Sequence, residues 1–271
     1  MRTFDKSELK SLYRPDSKSS NEDNGQVTII GGSKLFHGAP LLSLKVASRI
    51  LDMAFFATPE KSVGHVAEQF KSKLFSFIWI PWEEVDSYVE KSDALLIGPG
   101  FMSFRSEKDR SVVKETKTIT KRLLEKFPNK RWVIDAGSLQ IMKAEWIPAG
   151  AILTPNKKEF QYLFGKQKPE LVAKRHNCTI LVKGPEAKVC SPNECVEIKN
   201  GNPGLIKGGT GDVLAGLTVS LLAKNEPFLA ACSASYIAKA AAAELCEKVG
   251  INYNADDLAD KIPETLQGLT K

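Results

Sequence analysis

The segment LIKGGTGDVLAGLTVSLLAK, Leu205 to Lys224, joins a glycine-rich turn to a long apolar run through a single carboxylate. Gly208, Gly209 and Gly211 leave the backbone free to take positive φ and to approach a ligand with no side chain in the way. The apolar run predicts a helix over Asp212–Ala223, whose first free N–H groups and dipole favour an anion at its start. Asp212, placed at that start, repels phosphate unless it has another task. Two readings stand at this point. Asp212 is either a base that takes a proton from a hydroxyl attacking phosphorus, or a helix cap after a flexible turn.

The rest of the chain sets the frame. Its 271 residues, 42% hydrophobic and 26% charged, have ordinary water-soluble composition and can bury a substantial core. A net charge of +6 spread over scattered lysines suits small anionic ligands and argues against nucleic acid as a partner. Residues 1–24 form a polar arm without the apolar segment of a signal peptide, and no run approaches the roughly 18 apolar residues of a membrane span. Five dispersed cysteines read as a reducing cytoplasm more than as a disulfide framework. His37, His65 and His176 have no zinc-site spacing with cysteine. Cys190 and Cys195 flank a strand turn, and no protein metal site is expected.

Short apolar runs alternate with helical patterns. Strands are expected at Val27–Ile30, Met53–Thr58, Phe75–Ile80, Ala94–Ile97, Trp132–Ile134, Ile152–Leu153 and Thr179–Val182, with a hairpin through Val189–Cys190 and Val196–Ile198. Helices are expected at Ala39–Leu51, with Pro40 in the first turn, and at Ser62–Lys73, Arg110–Phe127 and Lys157–Phe164. Further helices are expected at Asp212–Ala223, Phe228–Lys248 and Ala255–Leu266. This order predicts an α/β chain, a mostly parallel central sheet with helices on both faces, as one domain over residues 1–271. Five of the strands end in loops carrying Gly, Pro, Asp or Asn, and such sheets bind ligands beyond the carboxyl ends of their strands.

These loops, in this order, resemble the ribokinase-like superfamily, and within it the ADP/ATP-dependent NAD(P)H-hydrate dehydratases. The matching signatures are Gly31-Gly32-Ser33, Gly38-Ala39-Pro40, Gly98-Pro99-Gly100, Asp135-Ala136-Gly137, LTPNKKEF (153–160), LVKG (181–184) and NGNPGLIKGGTGDVLAG (200–216). The last is the most specific, since the superfamily's usual kinases carry a GAGD-like version. The resemblance implies that hydrated NADH or NADPH binds with ADP or ATP. Asp212 then takes the hydroxyl proton as the phosphoryl group is transferred, and loss of phosphate restores the ring double bond. By the same resemblance Ala39, Gly100, Asn156 and Asp212 line the substrate side. Lys183, Gly184, Pro185, Glu186 and Ala187, with Gly208, Gly209, Thr210 and Gly211, meet the nucleotide. It also implies a homo-oligomer and a Mg²⁺ held mainly by phosphates and water.

The chain departs from the family pattern in four places. Asn156-Lys157-Lys158-Glu159 replaces the usual His-Pro-Gly-Glu, so a ring is lost and only hydrogen bonding is kept. Pro185-Glu186-Ala187 replaces small polar residues, and Pro185 has no N–H to donate. Glu22-Asp23-Asn24-Gly25 and Arg49-Ile50-Leu51-Asp52-Met53 also differ, and 271 residues leave no room for the family's frequent epimerase domain. Two alternatives stay open beside the dehydratase: a small-molecule kinase acting on a vitamin precursor or sugar alcohol, and a nucleotide-binding relative that has lost catalysis.

Overall fold

A computed structural model describes residues 1–20, 22–70, 76–103 and 110–271. Its strands are β1 (Arg2–Thr3), β2 (Gln26–Ile30), β3 (Met53–Ala57), β4 (Ile78–Ile80), β5 (Ala94–Ile97), β6 (Arg131–Ile134), β7 (Ile152–Leu153), β8 (Thr179–Val182), β9 (Ala187–Cys190) and β10 (Cys195–Ile198). They form one sheet in the order β1-β10-β9-β8-β7-β6-β5-β2-β3-β4. From β8 to β4 every pairing is parallel; β9 runs antiparallel to β8 and to β10. The chain order reverses at β2, which lies between β3 and β5. A crevice therefore opens beyond the carboxyl ends of β2 and β5, where open α/β sheets bind ligands.

The helices are α1 (Gly38–Ala47), α2 (Lys61–Phe70), α3 (Val85–Lys91), α4 (Arg110–Lys126), α5 (Ala136–Ile141), α6 (Lys157–Phe164), α7 (Pro169–His176), α8 (Thr210–Leu222), α9 (Pro227–Val249) and α10 (Ala255–Thr270). Successive side chains of a strand point to opposite faces. Ala94 and Leu96 accordingly join a core with α1, α8, α9 and α10, while Leu95 and Ile97 join a second core with α3 to α7. Helix α8 is apolar on nearly all sides because it is covered on nearly all sides, the usual position of such a helix.

The expected strands and helices are present with shifted ends. The first helix stops at Ala47, four residues before the expected Leu51. Of the helix expected over Ser62–Lys73, the part to Phe70 is α2 and residues 71–73 lie outside the described residues, as does Phe75 of the next expected strand. The polar arm is tied down at its start. There β1 pairs with β10, Phe4, Leu9 and Leu12 are buried, and the Tyr13 N–H donates to Asn225 Oδ1 at 2.7 Å.

One expectation is corrected. Cys190 and Cys195 are cross-strand partners in the β9–β10 hairpin and are joined by a disulfide, so the cysteine usage is not wholly that of a reduced chain. Spacing alone shows two cysteines flanking a turn; only the register places them opposite each other. No helix among the described residues is long and apolar enough to cross a membrane.

Candidate functional site

The floor of the crevice is made of backbone. The Gly32 N–H donates to Pro99 O at 2.8 Å. A Cβ on Gly31 would lie 2.1 Å from Pro99 O, and one on Gly98 would lie 1.9 Å from Asp135 O. The loops after β2, β5 and β6 are thus in direct main-chain contact, which only glycine permits at these points. Beside them Ala136 takes φ 45°, a left-handed conformation that costs a non-glycine residue energy and recurs at functional sites.

Helix α8 is set against this floor through α1. A Cβ on Gly216 would lie 2.5 Å from Ser43 O, so the two helices cross in backbone contact. Ser43 Oγ donates to Asp212 O at 2.7 Å, which fixes the first turn of α8 relative to the helix that carries Ala39. A cavity of about 300 Å³ results, lined by Ala39, Gly100 and Asp212 together with Phe101, Ala136 and Gln140. Three of the four residues expected on the substrate side meet here.

Asn156 does not line that cavity. It is exposed and caps α6: its Oδ1 accepts from the N–H groups of Lys158 (2.9 Å) and Glu159 (3.0 Å). Glu159 completes the capping box by accepting from Asn156 N at 2.8 Å, the reciprocal arrangement that satisfies two orphan donors. The side chain that turns inward is Glu159. It is buried and accepts from Gln140 Nε2 at 3.0 Å, while Gln140 Oε1 accepts from Ser103 Oγ at 2.6 Å.

A second cavity, about 120 Å³, lies on the other side of the α8 N-terminus and is lined by Lys183, Gly184, Pro185, Ala187, Thr210 and Gly211. Glu186, Gly208 and Gly209 stand outside this lining. Gly209 is the left-handed cap of α8 at φ +90°, and a Cβ there would lie 2.6 Å from Leu42, so its role is to turn the chain into the helix. Asn202 also lines the cavity. Its Oδ1 accepts from Gly204 N (2.9 Å) and Tyr253 Oη (2.7 Å), and its Nδ2 donates to Ala242 O (3.0 Å). A larger cavity, about 380 Å³, is lined by Tyr13, Asn24, Leu51 and Lys224 at the amino ends of β2 and β3, far from the glycine loops.

Asp212 stands between the two cavities. Burial pushes its carboxyl up to about 7, the charges of Asp135 and Glu159 push the same way, and Lys183 opposes them. Burial lowers the Lys183 ammonium, but Asp135, Glu159 and Asp212 outweigh that and leave it raised. Lys183 Nζ is 2.8 Å from Asp135 Oδ1, and Asp135 is only 1% exposed. A carboxylate poised near neutrality beside a helix N-terminus can accept a proton, while the helix start and Lys183 attract phosphate.

The sequence model of the NAD(P)H-hydrate dehydratases matches residues 27–264, most of the chain and all of these loops. The chain belongs to the NAD(P)H-hydrate dehydratase family. It is 34% identical over 270 residues to the bifunctional NAD(P)H-hydrate repair enzyme Nnr of Methanocaldococcus jannaschii, covering 96% of this chain and 52% of that one. The ADP-dependent (S)-NAD(P)H-hydrate dehydratase of Cenarchaeum symbiosum is 28% identical over 269 residues, covering 94% and 92%. The chain spans about half the length of the first curated relatives it matches. Solved structures give the fold: a ribokinase-like superfamily protein of Enterococcus faecalis superposes with a TM-score of 0.83 at 22% identity, covering 99% and 96% of the two chains. The ADP/ATP-dependent NAD(P)H-hydrate dehydratase of Bacillus subtilis, co-crystallised with ATP/Mg²⁺, superposes at 0.77 with 23% identity, covering 99% and 98%. The fold of this family member is ribokinase-like, with a mostly parallel sheet.

Four site features escape sequence reading. The Asp135–Lys183 pair joins two motifs 48 residues apart; each ends a strand, and that shared position is the one signal available. Glu159 sits within a departure from the family pattern, where attention falls on Asn156. Gln140 looks like a surface residue of a short helix. Lys239 lies in an alanine-rich helix, yet it is 6% exposed, lines the second cavity and donates to Pro185 O at 2.6 Å and to Ile198 O. A lysine amid small residues is a signal of a buried partner, though it does not say which.

Proposed function

We propose that this protein dehydrates hydrated NADH or NADPH back to the reduced dinucleotide, using ADP or ATP as phosphoryl donor. One observation carries the reading. Asp212, its carboxyl raised to about 7, lines the roomier cavity, while Thr210 and Gly211 of the same helical turn line the narrower one. The hydrated nicotinamide ring takes the first cavity and the nucleotide the second, so the acceptor hydroxyl and the terminal phosphate meet at the start of α8.

Asp212 removes the hydroxyl proton as that oxygen attacks the terminal phosphorus, and the P–O bond to the remaining nucleotide breaks. The Thr210–Asp212 amides and the Lys183 ammonium receive the negative charge of the transferring group. The ring C–O bond then breaks with the phosphate as leaving group, a ring carbon gives up a proton, and the double bond returns. Asp135 holds Lys183 in place, and the Ser103–Gln140–Glu159 chain braces the cavity wall. Among the described residues, no three Asp, Glu, His or Cys ligand atoms gather at this site. A Mg²⁺ would accordingly be held mainly by the nucleotide's phosphates and water and would neutralise phosphoryl charge there.

The reading is tested by mixing the protein with hydrated NADH, Mg²⁺ and either nucleotide and following reduced-nicotinamide absorbance. Its return in step with nucleotide consumption is expected. No return with either nucleotide refutes the reading.

A further inference from the structure

We propose that the adenosine half of the dinucleotide substrate seats in a two-tryptophan cleft at the carboxyl end of β4, where two carboxylates favour a ribose without a 2′-phosphate. The inference rests on the dehydratase reading and extends it to the part of the substrate that Asp212 does not touch.

A cavity of about 350 Å³ is lined by Thr58, Glu60, Gly64, Trp79, Trp82 and Glu83. It is not isolated from the Asp212 cavity. A small hollow of about 40 Å³ between them shares Phe101 with the Asp212 cavity, and Pro59 and Glu60 with the tryptophan cleft. The three hollows follow one another along the carboxyl ends of β5, β2, β3 and β4. Three strand spacings separate the ends of this row, roughly 14 Å, a reach that an extended dinucleotide spans.

The chemistry of the far end fits adenosine. Indole rings are the strongest stacking surfaces a protein offers a base. Trp82 is half-buried and lines the cleft, so part of its ring is open to a base, whereas the Trp79 indole N–H is closed off from solvent. Helix α2 packs on the Trp79 ring at Gly64, where a Cβ would come within 3.2 Å of Cζ2, which holds the indole in place at the cleft wall. Glu60 and Glu83 can accept from ribose hydroxyls and would repel a 2′-phosphate. Hydrogen bonds from Ser62 hold the Glu60 carboxyl below its ordinary value and Lys34 adds a smaller charge effect; Lys34 and Lys61 supply positive charge for the linking pyrophosphate.

The test compares three substrates: hydrated NADH, hydrated NADPH, and the hydrated reduced nicotinamide mononucleotide, which lacks the adenosine half. Trp82→Ala is expected to raise KM for hydrated NADH about tenfold, the effect of losing one stacked base. KM for the mononucleotide should stay within about twofold, and this internal control reports that the variant is folded. The double variant Glu60→Gln/Glu83→Gln is expected to bring the KM for hydrated NADPH toward that for hydrated NADH. Equal effects on dinucleotide and mononucleotide, or none on either, overturn the cleft assignment while leaving the dehydratase reading standing. Turnover of none of the three by the unaltered protein overturns both.

Discussion

Lys183 Nζ and Asp135 Oδ1 are 2.8 Å apart, and through that pair the wall of the narrower cavity is joined to the glycine floor beside the Asp212 cavity. Lys183 ends β8 and Asp135 ends β6, with only the short strand β7 between them. The parallel register thus places a cation and a carboxylate from distant motifs on one edge. Asp135 keeps Lys183 extended across the site, and Lys183 compensates a carboxylate that has almost no solvent.

Removing the ammonium leaves that carboxylate unpaired. Lys183→Met is expected to destabilise the fold by about 3 kcal/mol, the lower end for a buried pair because the Lys183 side chain keeps 19% exposure. Adding Asp135→Asn to it should restore most of the loss, while the KM for nucleotide stays high. Denaturant midpoints and nucleotide titrations of the two variants check this.

The raised carboxyl of Asp212 makes two pH predictions. Only the ionised form accepts a proton, so kcat/KM should rise with pH through about 7 and then level off. In stability the sign is opposite. A carboxyl raised from 3.8 to about 7 stabilises the fold below its ordinary range, and that contribution is lost as pH rises through 7. Asp212→Asn should therefore lower kcat by about 10²–10⁴-fold, keep nucleotide affinity within a few-fold, and melt higher than the unaltered protein above pH 7. Melting curves on both sides of neutrality, with single-turnover rates, decide it.

Lys239 fastens the rim of the narrower cavity by donating to two carbonyls, Pro185 O and Ile198 O. Burial brings its ammonium down to about 8, with Glu186 opposing, so it is charged at neutral pH. Lys239→Met is expected to cost about 2 kcal/mol of stability, the scale of lost charged hydrogen bonds. It should raise the nucleotide KM several-fold with little change in kcat. Steady-state kinetics with nucleotide as the varied substrate separate the two parameters.

The glycine floor admits no side chain. Gly31→Ala would put a methyl 2.1 Å from Pro99 O, against backbone that cannot swing away. Substrate KM should rise at least tenfold and the melting temperature should fall by several degrees, as for an overpacked core site. Gly208→Ala, where the added methyl meets nothing within 4 Å, is the matched control and should leave both nearly unchanged.

Most of the sheet was legible because β2, β5 and β6 are buried on both faces and read as apolar runs ending in glycine or aspartate. The turn into α8 was legible because its glycines and Asp212 are contiguous. What escaped depends on pairing across the fold. Helix α7 is short and charged, with only Val172 and Ala173 buried, so its periodicity is faint; Pro169 at its first turn was the usable sign. The Cys190–Cys195 bond and the Lys183–Asp135 pair follow from strand register, which no local pattern encodes. Asn156 was read for what it could touch, whereas the capping box commits its oxygen to the α6 backbone and leaves Glu159 to face inward.

The central claim is that the hydrate's own hydroxyl oxygen attacks phosphorus with Asp212 as base. It is tested most directly by labelling that hydroxyl with heavy oxygen and finding where the label goes after a single turnover. The account predicts that the label leaves the ring in inorganic phosphate, one atom per dinucleotide restored, and that Asp212→Asn slows its appearance by the same factor of about 10²–10⁴. Label released into water, with unlabelled phosphate, would contradict it.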